Sequence, residues 1–252
     1  MSIVILTNGN SFARVLLEPL LAQRAGEVQK IIIVTGDYKG RRGFAALRWL
    51  ASVTTWPYLV FKIASMLAGR RTGVAQLAKH YDIAVEHRVS VKEIESIDAD
   101  LVVSVSCPQI IPKRLMPRGG INIHSSLLPR YGGLAPYYWV LADGETRTGI
   151  TAHFMTDKVD EGNILGVSDV DIEQRDSAFA LFTRLARAGA PLLADAVTRA
   201  LGGDAGTPMQ GERSYRSHPD FASYRRLRAR GHRLVRLREL WRAACETLHP
   251  VR

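Results

Sequence analysis

Residues 121–124, with the sequence INIH, place two polar side chains in a short apolar strand. Successive side chains of a strand point to opposite faces, so Asn122 and His124 share one face. Histidine is the side chain best suited to acid–base chemistry near neutral pH, and an amide beside it can hold a substrate carbonyl or a developing oxyanion. A hydrogen-bonded core pair with no chemical role is the alternative, and the strand alone does not exclude it.

The turn after this strand and a later loop extend the chemistry of the region. SSLLPRYGG, residues 125–133, predicts a sharp turn at the carboxyl end of the strand, where open α/β sheets bind their ligands. Downstream, residues 148–165 predict a strand that carries His153 and a loop that contains Asp157 and Asp160. The Glu-Gly pair that follows predicts a turn from which Asp160 projects into a cleft. We therefore expect an amide, an imidazole and a carboxylate at one site.

Alternating strands and helices are predicted to position these residues. Residues 3–7 predict a buried strand, residues 11–26 a helix with Ser11 as its N-cap and Gly26 at its end, and residues 30–37 a central parallel strand. Strand, helix and strand within the first 36 residues predict a doubly wound, mostly parallel α/β sheet. Further strands are predicted at 83–88, 99–106, 149–155 and 163–172, and helices at 73–82 and 91–97.

From residue 177 onward the chain is predicted to be mostly helical. Residues 177–203 have the pattern of a long amphipathic helix, in which Pro191 is expected to cause a kink or a break. Residues 202–208 have the composition of a linker. Two more helices are predicted at 217–231 and 232–248, which makes a helical C-terminal extension.

Composition restricts the class of protein. With 252 residues, 46% of them hydrophobic and 23% charged, the chain has the composition of a globular protein. Two distant cysteines, Cys107 and Cys245, argue against a disulfide framework or a zinc site, and the first ten residues predict a strand and not a signal peptide. These features favour the cytoplasm.

The net charge of +10 is concentrated near the C-terminus. Residues 212–242 hold ten arginines and three acidic residues, a net charge of +7. A solvated pair of basic helices is the favoured interpretation, because regularly interleaved aromatic residues are lacking. Binding to nucleic acid or to an acidic surface is the alternative.

Residues 41–71 form a strongly apolar segment between two arginine pairs. Pro57 and Lys62 interrupt it, and its length is marginal for a bilayer span, which argues against a transmembrane helix. The favoured interpretation is an insert of helices that covers the sheet or the substrate cleft. A surface that contacts a membrane or an apolar partner remains the alternative.

Two blocks, INIHSSLLPRYGGLAP and GITAHFMTDKVDEGNIL, resemble in order and separation the signature of the folate-dependent formyltransferases. That family includes glycinamide ribonucleotide transformylase, methionyl-tRNA formyltransferase and the sugar N-formyltransferases. The resemblance is specific over residues 100–165 and looser over 1–35 and 165–200. It implies the Rossmann-like formyltransferase fold. We expect a catalytic domain at 1–203 and, from composition and pattern, a basic helical extension at 204–252.

The resemblance also implies roles for individual residues. Asn122, His124 and Asp160 occupy the catalytic positions of the family. The co-substrate 10-formyltetrahydrofolate is expected to contact Cys107, Pro108, Gln109, Ile110, Ile111, Thr156, Asp157, Lys158 and Val159. The acceptor is expected near Asn10, Ser11, Ser125, Arg130, Tyr131 and His153. Neither a metal nor a covalent intermediate is needed for this reaction.

The resemblance implies transfer of a formyl group to a primary amine, and the acceptor is the open question. At the first loop, TNGNSFA has Asn10 and Phe12 where the ribonucleotide enzymes have a glycine and an asparagine, which argues against a phosphate site. We expect a small amine, either an amino sugar or its nucleotide or a specialised-metabolite amine, with no obligatory nucleic acid. Methionyl-tRNA, glycinamide ribonucleotide, hydrolysis of formyltetrahydrofolate and a non-catalytic basic binding protein are the alternatives. A homodimer is left open.

Overall fold

The structure is a computed structural model that describes residues 1–35, 48, 54–60, 73–236 and 239. The described strands are β1 Ile3–Thr7, β2 Val28–Val34, β3 Ala84–Arg88, β4 Leu101–Val105, β5 Gly120–His124, β6 Gly132–Gly133, β7 Arg147–Phe154, β8 Ile164–Asp171 and β9 Tyr215–Arg216. The described α-helices are α1 Ser11–Arg24, α2 Val74–His80, α3 Pro136–Asp143, α4 Ala178–Leu201 and α5 Phe221–Ala229.

Seven of these strands form one twisted sheet in the order β3-β2-β1-β4-β5-β7-β8. The five strands from β3 to β5 are parallel, whereas β7 pairs antiparallel with β5 and β8 pairs antiparallel with β7. The predicted mostly parallel, doubly wound sheet with a helical C-terminal region is therefore confirmed. Strands β6 and β9 form a separate two-stranded parallel pair beside the main sheet.

Two hydrophobic clusters cover the two faces of the sheet, because the strand side chains alternate. The larger cluster includes Leu16 and Leu20 of α1, Leu185 of α4, and Ile121 and Ile123 of β5. The smaller cluster packs against the opposite face; its members include Val4, Ile32, Val102, Ile111, Leu115 and Met116. On β5, the polar side chains at 122 and 124 therefore lie on the side of the smaller cluster.

The start of α1 corrects one prediction. Asn10, and not Ser11, is the N-cap: its backbone is extended and its side-chain Oδ1 accepts from the Ala13 amide at 2.8 Å. Ser11 is the first helical residue. Asparagine and serine are about equally good N-caps, so the sequence alone did not distinguish the two adjacent positions.

Helix α4 runs without a break through Pro191, so a break at this residue is not found. A proline removes one hydrogen bond and leaves the carbonyl of Arg187, four residues earlier, without a helical donor. Pro191 is exposed, so water can reach that side of the helix. The opposite side is buried against the sheet by residues such as Leu185 and Leu193, and this packing stabilises the continuous helix.

Three other predicted elements differ in extent. The helix predicted at 91–97 is only a short 3-10 turn, Val91–Glu93. The helix predicted at 217–231 is confirmed as α5. Residues 232–236, predicted as helical, are irregular, and Arg233 forms a bridge with Ser177; the rest of that prediction lies almost wholly outside the described residues.

Most of the apolar segment at 41–71 also lies outside the described residues. Within it, residues 54–60 pack against the protein: Tyr58 is buried, and the Thr54 hydroxyl donates to the Pro219 carbonyl at 2.6 Å. Among the helices that the structure describes, none has the length and hydropathy required to cross a membrane.

Candidate active site

A cavity of about 360 Å³ lies at the carboxyl ends of β4 and β5, beside the loop that follows β7. Asn122, His124, His153 and Asp160 all line it. The position follows from the topology, since the carboxyl ends of parallel strands meet at one edge of an open sheet. The structure thus brings together the polar residues that the strand and loop patterns indicated.

His153 orients the amide of Asn122 from the neighbouring strand. Its Nδ1 lies 2.8 Å from the carbonyl oxygen of Phe154, which can only accept, so Nδ1 is the donor. The other ring nitrogen, Nε2, then accepts from Nδ2 of Asn122 at 3.2 Å. Burial lowers the pKa of His153 to about 4, despite the opposing attraction of Asp160, so the ring is neutral at pH 7. The second hydrogen on Nδ2 of Asn122 is left for a ligand.

His124 is also held by a backbone carbonyl. Its Nε2 lies 3.0 Å from the carbonyl oxygen of Tyr131, and this nitrogen must therefore be the donor. Nδ1 is the ring nitrogen at which a proton can be gained or released. It lies 3.7 Å from Oδ1 of Asp160, too far for a direct hydrogen bond but close enough for electrostatic attraction.

Asp160 lies in the turn after β7 and is nearly buried, with 10% of its side chain exposed. Its φ of +54° is in the left-handed region, which aspartate adopts more readily than most residues. Oδ2 accepts from the backbone amide of Gly133 at 2.8 Å, and Oδ1 lies 3.7 Å from Nε2 of His153. Among the described residues, no group of three or more His, Cys, Asp and Glu side chains is placed to hold a metal ion.

One side of the cavity, the loop wall, consists of residues from the two loops expected to contact the folate. It comprises Cys107, Pro108, Gln109, Ile110, Ile111, Thr156, Lys158 and Val159, whereas Asp157 lies outside the lining. Burial raises the pKa of Cys107 to about 11, so its thiol is protonated at neutral pH.

The side chain of Gln109 is already engaged by the loop at 89–91. Its Oε1 accepts from the Ser90 hydroxyl at 3.1 Å and the Val91 amide at 3.0 Å, and its Nε2 donates to the Val89 carbonyl at 2.9 Å. Gln109 therefore braces the loop wall through its side chain.

A second part of the lining, the aromatic wall, consists of Phe12, Tyr58, Tyr137 and Phe182. Phe12 and Phe182 stack with ring centroids 3.6 Å apart, and the rings of Tyr137 and Phe182 are 4.2 Å apart. The hydroxyls of Tyr58 and Tyr137 lie 3.5 Å apart. These residues belong to the larger cluster or pack on it, so the wall is an edge of the protein core.

The residues expected near the acceptor divide into two sets. Asn10, Ser125 and His153 line the cavity, although Oδ1 of Asn10 is occupied as the N-cap of α1. Ser11, Arg130 and Tyr131 lie outside the lining. The Arg130 guanidinium forms an ion pair with Glu145, and the Tyr131 hydroxyl donates to the same carboxylate at 2.8 Å.

Several lining residues carried no recognisable signal in the sequence. Tyr58 lies in the irregular apolar segment, and Phe182 is one of many apolar residues along α4. Tyr215 and His218 follow the predicted linker, more than fifty residues after Asp160, yet they also line the cavity. Tyr137 lies only a few residues after the turn that follows β5. Of these residues it is therefore the nearest in sequence to the predicted site.

Comparison with known sequences identifies the family. A family model described as formyl transferase matches residues 1–197, more than half of the chain. The methionyl-tRNA formyltransferase of Bacillus licheniformis is 37% identical over 131 residues, which cover 51% of this chain and 42% of that protein. The enzyme of the same name from Listeria innocua is 38% identical over 115 residues, or 44% of this chain and 37% of that protein. The matches span less than half the length of these relatives.

Solved structures with the same fold include two formyltransferases of other kinds. An N-formyltransferase from Helicobacter canadensis, in complex with folinic acid and dTDP-3-aminofucose, has a TM-score of 0.61 at 18% identity and covers 86% of this chain and 71% of that one. Glycinamide ribonucleotide transformylase 1 from Symbiobacterium toebii has a TM-score of 0.58 at 18% identity, over 84% of this chain and 94% of that one. At this identity the likeness shows the fold, whereas the family model covers both β5 and the loop of Asp160. The chain belongs to the formyl transferase family.

Proposed function

We propose that the chain is an N-formyltransferase that transfers the formyl group of 10-formyltetrahydrofolate to the primary amine of a small molecule. The observation that carries the proposal is the convergence of Asn122, His124 and Asp160 on one cavity, each oriented by a partner in the surrounding protein. Family membership supports formyl chemistry. The folinic acid bound by the Helicobacter canadensis enzyme supports a folate donor.

The first step is attack of the amine on the formyl carbon, which places a negative charge on the formyl oxygen. Asn122 Nδ2 has one hydrogen directed at His153 and a second one available to that oxygen. A protonated His124 donates from Nδ1, because its Nε2 is directed at the Tyr131 carbonyl. Two oriented donors in a buried site bind the negatively charged formyl oxygen of the transition state more strongly than the neutral carbonyl oxygen of the bound substrate.

The second requirement is proton transfer. The attacking amine must lose a proton, and N10 of the folate must gain one when the carbon–nitrogen bond breaks. The Asp160 carboxylate lies 3.7 Å from His124 Nδ1, so it stabilises positive charge on the ring. It also lies at the cavity to accept the proton of the amine, directly or through water, and to pass that proton to N10, which regenerates the carboxylate. Its fixed Oδ2 leaves Oδ1 for this role.

The two walls suggest where the substrates bind. The loop wall presents apolar side chains, with Ile110 71% and Val159 40% exposed, and such surface suits the flat ring system of a folate. The aromatic wall, which includes two tyrosine hydroxyls, suits a compact acceptor ring. Among the described lining residues, Lys158 of the loop wall is the single lysine or arginine.

A second acceptor, methionyl-tRNA, is favoured by the sequence relatives, which carry that activity in their names. The C-terminal region adds a physical reason, because Arg225, Arg228 and Arg233 are exposed there and an arginine-rich surface attracts nucleic-acid phosphates. This alternative predicts formylation that weakens steeply with salt, whereas a small amine acceptor predicts weak salt dependence.

The test is incubation of the purified protein with 10-formyltetrahydrofolate and a panel of amines, with mass spectrometry to detect the gain of a formyl group. The panel contains free amino sugars, their nucleotide-linked forms, other small amines and methionyl-tRNA. His124→Ala is expected to lose nearly all product. His87→Ala, a change of an exposed histidine on β3, is the matched control and should keep it.

Three results would contradict the proposal. Formate release without any formylated amine would indicate a hydrolase. Formylation restricted to methionyl-tRNA would replace the small-molecule acceptor by the second candidate. Full turnover in His124→Ala would contradict the catalytic role assigned to His124.

A further inference from the structure

Residues 213–219, here called the strap, pass beside the catalytic centre although they lie outside the region matched by the family model. Their β9 pairs in parallel with β6, which is part of the turn after the catalytic strand β5. The far end of the strap is anchored elsewhere: the indole Nε1 of Trp139 donates to the Ser217 carbonyl at 3.1 Å, and Arg216 forms an ion pair with Asp143 at 2.6 Å. The strap is thus a fixed support and not a loose tail.

The pairing of the strap with the turn determines where one amide points. The Gly132 amide donates to the Ser214 carbonyl at 2.9 Å, and the Leu134 amide donates to the Arg216 carbonyl at 2.8 Å. In an extended segment, successive N–H groups point in opposite directions. The intervening Gly133 amide therefore points away from the strap, toward Asp160, whose Oδ2 accepts from it at 2.8 Å.

Ser214 makes two further contacts with the same turn. Its Oγ accepts from the Tyr131 amide at 2.9 Å, and its own amide donates to the Pro129 carbonyl at 3.2 Å. Tyr131 has a φ of +58°, a strained conformation for this residue, and its carbonyl oxygen accepts from His124 Nε2. Ser214 therefore holds the residue that orients His124.

Gly133 shows how closely the strap approaches. Its φ is +93°, and a Cβ at this position would lie 2.3 Å from the Arg216 carbonyl oxygen. Only glycine permits this approach. Arg213, at the start of the strap, also forms an ion pair with Glu161, the residue after Asp160.

We propose that Ser214 is a positioning residue of the formyl transfer site, which acts through Tyr131 on His124 and through the Gly132–Gly133 strand on Asp160. This inference rests on the proposed function of those two residues. It assigns a role in turnover to a segment outside the matched family region, and it predicts that a change in the strap alters kcat and not the affinity for the folate.

The experiment compares Ser214→Ala and Ser214→Thr with Ser217→Ala. Ser217 is an exposed serine of the same strap. Its carbonyl accepts from Trp139, whereas its hydroxyl has no hydrogen-bond partner among the described residues, so it is the matched control. Loss of one hydrogen bond to a strained turn is expected to lower kcat about 3- to 10-fold in Ser214→Ala, with the KM for the folate within about 2-fold of the unmodified protein. Ser214→Thr keeps a hydroxyl and should recover most of kcat, and Ser217→Ala should match the unmodified protein.

A second measurement reads the position of His124 without substrate. The proton on its Nε2 should give a hydrogen-bonded imidazole N–H signal in the NMR spectrum, and this signal should shift or broaden in Ser214→Ala but not in Ser217→Ala. If no acceptor is ever formylated, the proposed function fails while this spectrum still tests the positioning role. An unchanged signal and unchanged kcat in folded Ser214→Ala overturn the inference, as does a loss confined to the KM for the folate. If Ser214→Ala does not fold, the test uses Ser214→Thr alone. The inference is then also overturned if Ser214→Thr fails to retain both the N–H signal and kcat.

Discussion

The two walls of the cavity are built in different ways. The loop wall consists of residues after β4 and β7, and it exposes side chains such as Ile110 that contribute little to the core. The aromatic wall consists of rings that are themselves core, such as Phe12 with 7% exposure. Loops tolerate change and can adapt to a ligand, whereas a packed wall has a fixed shape. We infer that changes in the exposed residues of the loop wall, such as Ile110, affect binding alone, whereas changes in the aromatic wall affect binding and stability together.

The largest expected effect is at Asp160, which lines the cavity beside His124. Asp160→Asn keeps the size of the side chain but removes the charge beside His124, so kcat should fall about 100- to 10,000-fold with little loss of stability. Steady-state kinetics and thermal unfolding measure the two quantities. Asp169→Asn, at an exposed aspartate of β8, is the control. A kcat within 10-fold of the unmodified protein would contradict the role of Asp160.

The aromatic wall is tested by Phe12→Ala. Phe12 is buried and stacked on Phe182, so its removal should lower the free energy of unfolding by about 3–5 kcal/mol. The KM for the acceptor should rise while the KM for the folate changes little. Phe221→Ala, at a position that is 59% exposed, should change stability by less than about 0.5 kcal/mol. Equal effects on both KM values would mean that the two walls do not bind separate substrates.

The buried His153, which also lines the cavity, is tested by the pH dependence of stability. Burial lowers the pKa of His153 to about 4 from 6.5, so between these values the unfolded chain binds a proton that the folded protein does not. Stability is therefore complete above pH 6.5 and decreases as the pH falls toward 4. His153→Gln removes this loss of stability, which amounts to roughly 2–3 kcal/mol at pH 4.5.

Urea unfolding at pH 7 and at pH 4.5 measures the effect of His153. The unmodified protein should lose more stability than His153→Gln over this interval. His87→Gln, at an exposed histidine on β3, should follow the unmodified protein. Parallel losses in the unmodified protein and His153→Gln would show that His153 does not titrate as its burial implies.

The smallest expected effect is in the loop wall. Ile110→Ala changes a side chain that is 71% exposed, so the free energy of unfolding should stay within about 0.5 kcal/mol. The KM for the folate should rise about 3- to 10-fold, because apolar contact area with the ligand is lost. Val167→Ala, on β8, is the control for exposure. A loss of stability of several kcal/mol would mean that Ile110 is also part of the core.

Short stretches of sequence were sufficient to predict much of the fold and the chemical groups of the site. The alternation of β5 placed Asn122 and His124 on one face, because the side-chain period of a strand does not depend on its neighbours. Similar local patterns predicted the seven strands of the main sheet and the helices α1, α2, α4 and α5, whereas α3, β6 and β9 were not predicted. Local patterns predicted less well where two adjacent residues could both cap a helix, as at Asn10 and Ser11. They were also insufficient at Pro191, where solvent exposure on one side of the helix and packing on the other allow the helix to continue.

Contacts between residues far apart in the chain required the folded structure. The hydrogen on Nδ2 of Asn122 that is free for substrate is defined by His153, which lies 31 residues away and is neutral because it is buried. The direction of Asp160 depends on Gly133, and Gly133 in turn on the strap that begins some eighty residues later. Side-chain periodicity carries no information about such pairs, since burial, tautomer and hydrogen-bond direction arise only when the elements pack.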